Sequence, residues 1–263
     1  MTLTMYPNLP TPTLFAHRGA SAHAPENTLA AFELALRQQA DAIELDVMLT
    51  ADRAVIVFHD HTLERVTNGT GKIADYPLEV LQQLDAGAHF DAAFRGERIP
   101  TLEEVFETVA KRTFINIELK NDAAPTDDLP ERVAVLVARH NLSSRVMVSS
   151  FNPIALRRFR QALPQVPQGL LALGGWQGAL ARGAFGRWIS PHEALHPDQS
   201  DVTAALVQAA HQRGQRIHPY TVNAPADMLR LFALGIDGIH TDDPLLARQT
   251  LQQYLQQTSG ALQ

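Results

Sequence analysis

Short β-rich runs alternate with amphipathic helical patterns along nearly the whole chain, and one connection among them is too short to cross over. The spacing predicts strands over Leu14–His17, Ala42–Asp46, Ala54–Phe58, Phe114–Glu118, Arg145–Ser149, Gly169–Leu173, Trp188–Ser190, Arg216–Thr221 and Gly238–Thr241. It predicts helices over Asn27–Gln39, Leu102–Lys111, Glu131–His140, Ile154–Leu163, Asp201–Arg213, Ala226–Leu234 and Leu245–Gln256. Asn27 reads as an N-cap, Thr101 with Glu104 as a capping box, and Pro244 as a first helical residue. A parallel crossover takes about a dozen residues, usually a helix. Only Ala51, Asp52 and Arg53 lie between Thr50 and Ala54, so Ala42–Thr50 and Ala54–Asp60 must form an antiparallel hairpin. Setting that return arm aside leaves eight strands, the number of a TIM barrel. Residues 60–100 carry turn signals at Asn68-Gly69, Gly71 and Tyr76-Pro77 but little helical period. The expectation is an α/β fold, a TIM (β/α)8 barrel with a small cap insertion after strand 2. The 263 residues suit one domain, with the hairpin and insertion over about 51–100.

Barrel active sites lie at the C-terminal ends of the strands. Those ends read His17-Arg18-Gly19, Glu44-Leu45-Asp46, His59-Asp60 on the hairpin return, Glu118-Leu119-Lys120 and Thr241-Asp242. Residues i and i+2 of a strand share a face. Glu44 and Asp46 therefore point together, Glu118 and Lys120 likewise, and the three carboxylates should converge at the mouth. Crowded carboxylates repel. Oxygen-only ligands of this kind suit Mg²⁺ or Ca²⁺. Arg18 and Lys120 supply fixed positive charge for phosphate oxygens. His17 and His59 can exchange protons near neutral pH. The set describes a site for an anionic, phosphoryl substrate. His61, His89, His140, His192, His196, His211 and His240 read as structural or solvated, with His23 and His218 nearer the mouth. Asp243 reads as a helix cap, and Asp242 as either a supporting group or a solvated one.

Composition narrows the partners. Twenty-eight acidic against 22 basic residues give a net charge of −6, which argues against nucleic acid and anionic membranes. Cysteine is absent, excluding disulfides, thiolate metal sites and cysteine nucleophiles. No apolar run approaches the roughly 20 residues of a membrane span. The first residues lack the charged and apolar parts of a signal peptide, so the expected setting is cytoplasmic.

Several blocks together resemble the glycerophosphodiester phosphodiesterases. They are His17-Arg18-Gly19, Pro25-Glu26-Asn27-Thr28, Glu44-Leu45-Asp46-Val47, Val57-Phe58-His59-Asp60 and Leu63 to Gly69. Further along come Ile99-Pro100-Thr101-Leu102, Ile117-Glu118-Leu119-Lys120, Ser149-Ser150-Phe151, Tyr220-Thr221-Val222-Asn223 and Gly235 to Pro244. The resemblance runs from about residue 14 to 246. It implies a capped TIM barrel and a divalent metal on Glu44, Asp46 and Glu118. It also implies a histidine pair at His17 and His59, and phosphate contacts from Arg18 and Lys120. The Leu84-Asp85-Ala86-Gly87 stretch looks most like the bacterial cytosolic members. Tyr220 stands where many relatives carry Trp, a position that should line the pocket. The implied reaction is metal-dependent hydrolysis of a small-molecule glycerophosphodiester to sn-glycerol 3-phosphate and an alcohol. A phospholipase D-like hydrolase of lysophospholipids on the same barrel is the alternative.

Overall fold

The computed structural model describes residues 9–121 and 124–260. Its elements run β1 (Thr13–His17), α1 (Leu29–Arg37), β2 (Ala42–Leu49), β3 (Val55–Val57), α2 (Leu78–Leu81), α3 (Leu102–Thr108) and β4 (Phe114–Leu119). They continue with α4 (Leu129–Arg139), β5 (Val146–Ser150), α5 (Pro153–Ala162), β6 (Gln168–Ala172), α6 (Ala179–Arg182), α7 (Ala184–Ile189) and β7 (Ala194–Pro197). The last are α8 (Ala204–Gln212), β8 (Arg216–Ile217), α9 (Pro225–Ala233), β9 (Gly238–Thr241) and α10 (Pro244–Gly260).

Eight strands pair in the order β8-β7-β6-β5-β4-β2-β1-β9, all parallel, while β3 pairs antiparallel with β2. This is the expected TIM barrel, nearly closed. The hairpin forms where the short connection required it, with Thr50 N–H donating to the Ala54 carbonyl at 3.1 Å. The remaining seam lies between β8 and β9. Backbone bonds cross it from Asp237 to Ile217 (3.1 Å), His240 to Pro219 (3.0 Å) and Val222 to His240 (2.8 Å).

Strand alternation sorts the core. Ala16, Ile43, Leu45, Val47, Ile115 and Ile117 face outward and pack with Phe32, Val105, Phe106, Val133 and Phe159 from the helices. Each such fully buried aliphatic or aromatic side chain contributes about 1.5–3 kcal/mol. Inside the barrel, Phe15, Ala42, Met147 and Ala194 form an apolar plug. The hairpin and the segment after it hold a small core of their own, with Met48, Ile56 and Phe58 against Leu63, Ile73, Leu81 and Ile99.

Three local expectations need correction. Trp188–Ser190 is not a strand: it ends α7, and Trp188 is 79% exposed. The strand is Ala194–Pro197, fully buried. Five glycines between 174 and 186 erase the helical period of α6 and α7, so the β-prone Trp-Ile pair stood out instead. Asn27 is not the N-cap of α1: Thr28 is, its side chain accepting from the Ala31 N–H. The strand expected over Arg216–Thr221 is regular only over Arg216–Ile217, because Pro219 offers no N–H to a ladder. The capping box of Thr101 and Glu104 forms, and Pro244 opens α10.

Candidate active site

β2 is buried along its whole length, and its inward residues face the barrel interior. Register sets Asp46 opposite Glu118 on β4, and His17 on β1 opposite Glu44. One carboxylate oxygen from each of Glu44, Asp46 and Glu118 lies within 4.8 Å of the other two, and all three residues are buried. Burial, then the charge of Asp46, raises Glu118 to about 7. Burial, then Asp46 and Glu118, holds Glu44 well above the usual carboxylate range. Buried oxygens that repel one another, with no sulfur or nitrogen among them, fit a hard divalent cation. Asn27 supports the group by donating from Nδ2 to Asp46 Oδ2 at 2.9 Å. It sits at φ 57°, a left-handed conformation Asn tolerates better than most residues.

Each histidine is turned by a carboxylate. His17 Nδ1 lies 2.6 Å from Asp242 Oδ1, across 225 residues of sequence. Asp242 also accepts from Ser21 Oγ at 3.1 Å and Asn223 Nδ2 at 2.6 Å. Burial pushes Asp242 up, but those bonds and His17 outweigh it, so it stays below the usual range. His59 Nδ1 lies 2.6 Å from Asp60 Oδ1, and its Nε2 is 3.3 Å from Lys120 Nζ. An ionised carboxylate only accepts, so each Nδ1 carries a proton, and proton exchange falls to each Nε2. Burial, aided by Arg18 and Lys120 and opposed by Asp46, holds His59 below the ordinary histidine value.

Arg18 takes φ 57° directly after β1, which brings its N–H to Glu44 Oε2 at 2.9 Å. Its guanidinium pairs with Glu26 at 2.9 Å and lies 3.3 Å from Asp46. Arg65 reaches in to bind Glu26 and Asp60 together, at 2.7 and 2.5 Å. Burial opposes ionisation of Glu26, yet Arg65 and Arg18 bring it to about 2. Lys120 pairs with Glu118 at 3.3 Å.

A cavity of about 200 Å³ is lined by His17, Arg18, Glu44, His59, Glu118 and Lys120, with Phe151, Ser149 and Tyr220 on its walls and His240 at its side. Tyr220 lines it as expected, its hydroxyl donating to the Ala172 carbonyl at 3.0 Å. A second cavity of about 400 Å³ opens on the other side of His17, bounded by Glu26, Asn223, Asp242 and Asp243.

The eight sequence-derived residues therefore meet at one mouth. His23 stands at the rim, 3.0 Å from Asp243, which also caps α10 by accepting from the Leu246 N–H at 2.9 Å. His218 lies fully buried inside the barrel, with His196 and His240. Glu26, Asp60, Arg65 and Asn223 were not singled out, and Asn27 only as a helix cap. All five sit in the blocks that carry the family resemblance, and that was the available signal.

Residues 17–246 match the glycerophosphoryl diester phosphodiesterase family. A glycerophosphodiester phosphodiesterase of Caldanaerobacter subterraneus subsp. tengcongensis is 41% identical over 236 residues, 88% of this chain and 94% of that one. The structure of an Oleispira antarctica phosphodiesterase in complex with the product sn-glycerol-3-phosphate is similar, with TM-score 0.80 and 32% identity. The match covers 92% of this chain and 97% of that one. The glycerophosphodiester phosphodiesterase of Agrobacterium tumefaciens gives TM-score 0.78 and 30% identity over 89% of this chain and 98% of its own.

Proposed function

This chain belongs to the glycerophosphoryl diester phosphodiesterase family, and from that premise we propose that it hydrolyses glycerophosphodiesters to sn-glycerol 3-phosphate and an alcohol. The observation that carries the detail is a cluster of three buried carboxylates, two of which share one cavity with two carboxylate-oriented histidines. Glu44, Asp46 and Glu118 would hold Mg²⁺ or Ca²⁺. Such an ion, when bound, supplies Lewis-acid polarisation of phosphoryl oxygen and a template for the glycerol end.

The remaining work falls to this chain's own groups. Arg18 and Lys120 stabilise charge on the phosphoryl oxygens. One histidine, with its lone pair on Nε2, takes the proton of the attacking water, or of a glycerol hydroxyl whose cyclic phosphate water then opens, and the other, protonated on both ring nitrogens, gives one to the departing alkoxide. Asp242 and Asp60 hold the two rings in the tautomer this requires. Burial of Glu44 and Asp46 keeps bulk water from the oxygens that do the binding.

The test uses chelator-stripped enzyme and glycerophosphocholine. Turnover should vanish and return with Mg²⁺ or Ca²⁺, and the phosphorylated product should be glycerol 3-phosphate. Full turnover in excess chelator removes the metal from this reading. Phosphocholine among the products would mean that the other P–O bond breaks. Recognition groups cluster on the phosphate and glycerol side, so headgroups should be discriminated weakly. The values of kcat/KM for glycerophosphocholine, glycerophosphoethanolamine and glycerophosphoglycerol should fall within about tenfold, about 1.4 kcal/mol.

One observation favours the lysophospholipid alternative. Past the end of β6, whose Ala172 accepts from Tyr220, lies an apolar surface of Leu173, Trp176, Leu180, Phe185 and Trp188, 49–85% exposed. Acyl chains suit such a surface. If it serves them, Trp176→Ser with Trp188→Ser lowers kcat/KM on lysophosphatidylcholine at least tenfold and leaves glycerophosphocholine unchanged.

A further inference from the structure

Three strands turn a histidine into the barrel beside the carboxylate cavity, and none of the three has a part in the reaction above. His196 lies on β7, His240 on β9, and His218 directly follows β8. All are buried, at 0, 2 and 0% exposure. One ring nitrogen from each lies within 4.8 Å of the other two. His196 Nε2 and His218 Nδ1 are 3.3 Å apart. The His196 ring centroid is 5.1 Å from that of His218 and 5.0 Å from that of His240.

The neighbouring strands are shaped around these rings. At Gly169 on β6 a Cβ would come within 2.5 Å of His196 Nε2. At Gly238 on β9 it would meet His218 Cδ2 and Phe15 at 3.1 Å each. Phe15 stacks on His240 with 4.7 Å between centroids and 8° between planes, which fixes that ring. Packing this specific leaves a polar atom unanswered. His240 Nε2 has no hydrogen-bond partner among the described residues, and a buried polar atom left so costs stability.

We propose that His196, His218 and His240 form a second metal site, a three-imidazole site for a transition-metal ion such as Zn²⁺, distinct from the carboxylate site in place and in chemistry. Imidazole nitrogens bind Zn²⁺ at about 2.0–2.1 Å, so two of them on a tetrahedral ion stand about 3.3–3.4 Å apart. The separation of His196 Nε2 from His218 Nδ1 is 3.3 Å. Imidazole suits zinc, copper, cobalt and nickel, whereas Mg²⁺ and Ca²⁺ take oxygen. The ligand form is neutral imidazole, and burial holds all three rings toward it. Three protein ligands leave one coordination position open.

The place of the cluster gives the ion a task. β8 and β9 flank the seam where the barrel's sheet is interrupted, β7 pairs with β8, and β8 has two regular residues. An ion held by one histidine from each segment would pin that seam from the inside.

Cobalt is the probe. The protein is produced in cobalt-supplemented medium and dialysed against excess Mg²⁺, which occupies the carboxylates. We expect one equivalent of Co²⁺ to remain, with the strong visible absorption of a tetrahedral nitrogen-ligated ion. Glu118→Gln should keep that absorption, and His196→Gln and His240→Gln should lose it. X-ray absorption on the wild-type protein decides the point should those variants fail to fold, by showing imidazole scattering about the retained ion. Zn²⁺ should raise the thermal midpoint of wild type and of Glu118→Gln alike. Complete displacement of Co²⁺ by Mg²⁺, an oxygen-only absorption spectrum, or a signal that survives folded His196→Gln and His240→Gln would overturn the site.

Discussion

At the scale of single residues, the histidines are positioned by carboxylates, and that division can be measured. His17→Ala and His59→Ala should each lower kcat at least the roughly 10²-fold typical of acid–base groups. The double variant should lose far less than the product of the two, since they act as one unit. Asp242→Asn should leave KM and metal content nearly unchanged while kcat falls, because the ring it turns can take the wrong tautomer. A near-wild-type kcat in either single histidine variant would return that residue to a structural role. The three carboxylates were legible from strand alternation alone, since Glu-x-Asp and Glu-x-Lys each set two groups on one face. Asp242 was not. Its partner is 225 positions away, and no local pattern carries such a pairing. Asn27 was legible as a polar residue before a helix, but its left-handed backbone turns the side chain to Asp46 instead of to the helix end.

At the scale of elements, the segment over the hairpin shows how a loop without helical period is made rigid. Asp85 accepts from the N–H groups of Gly87, Ala88 and Gly96, at 2.9, 2.8 and 3.0 Å, folding residues 85–96 about one carboxylate. Those bonds hold Asp85 below the usual carboxylate range. Gly87 lies so close to the opposite backbone that a Cβ would fall 1.9 Å from the Phe94 carbonyl oxygen. Gly87→Ala should therefore cost about 1–3 kcal/mol, the range for forced overpacking, read as a lowered urea midpoint. An unchanged midpoint would show that the Phe94 loop shifts freely. This explains Leu84-Asp85-Ala86-Gly87, which sequence reading could match as a motif but not account for. The strand β7 failed to announce itself for the opposite reason: Ala-Leu-His-Pro has no β-branched residue, and burial alone makes it a strand.

At the scale of the whole molecule, a barrel interior lined with neutral histidines ties stability to pH. Burial and then the charge of Arg216 lower His218 from 6.5 to about 3. His196 is lowered by burial and by the other histidines, His192 included, and His240 by burial, His218 and His17. The unfolded chain binds protons at these groups from about 6.5 downward while the folded chain does not, so stability falls as pH falls through that window. Glu118, raised to about 7, acts in the opposite sense between about 4.5 and 7, and Glu44, also raised, acts in the same direction as Glu118, which makes a variant comparison the clean measurement. In metal-free protein, His218→Gln should flatten the dependence of unfolding free energy on pH between 6 and 4.5 by about 1.4 kcal/mol per pH unit. Equal slopes would mean that His218 is protonated in the native state. The barrel's closure has a further consequence, for synthesis. β1, the first strand made, pairs with β9, the last, and residue 242 follows residue 17 by 225 positions. At 5–20 residues per second that is roughly 10–45 s on the ribosome. During it the growing chain can bring the carboxylates of β2 and β4 together, but His17 has nothing to turn its ring. A chain released before residue 242 should therefore turn over substrate far more slowly than the complete barrel, as the Asp242 variant does.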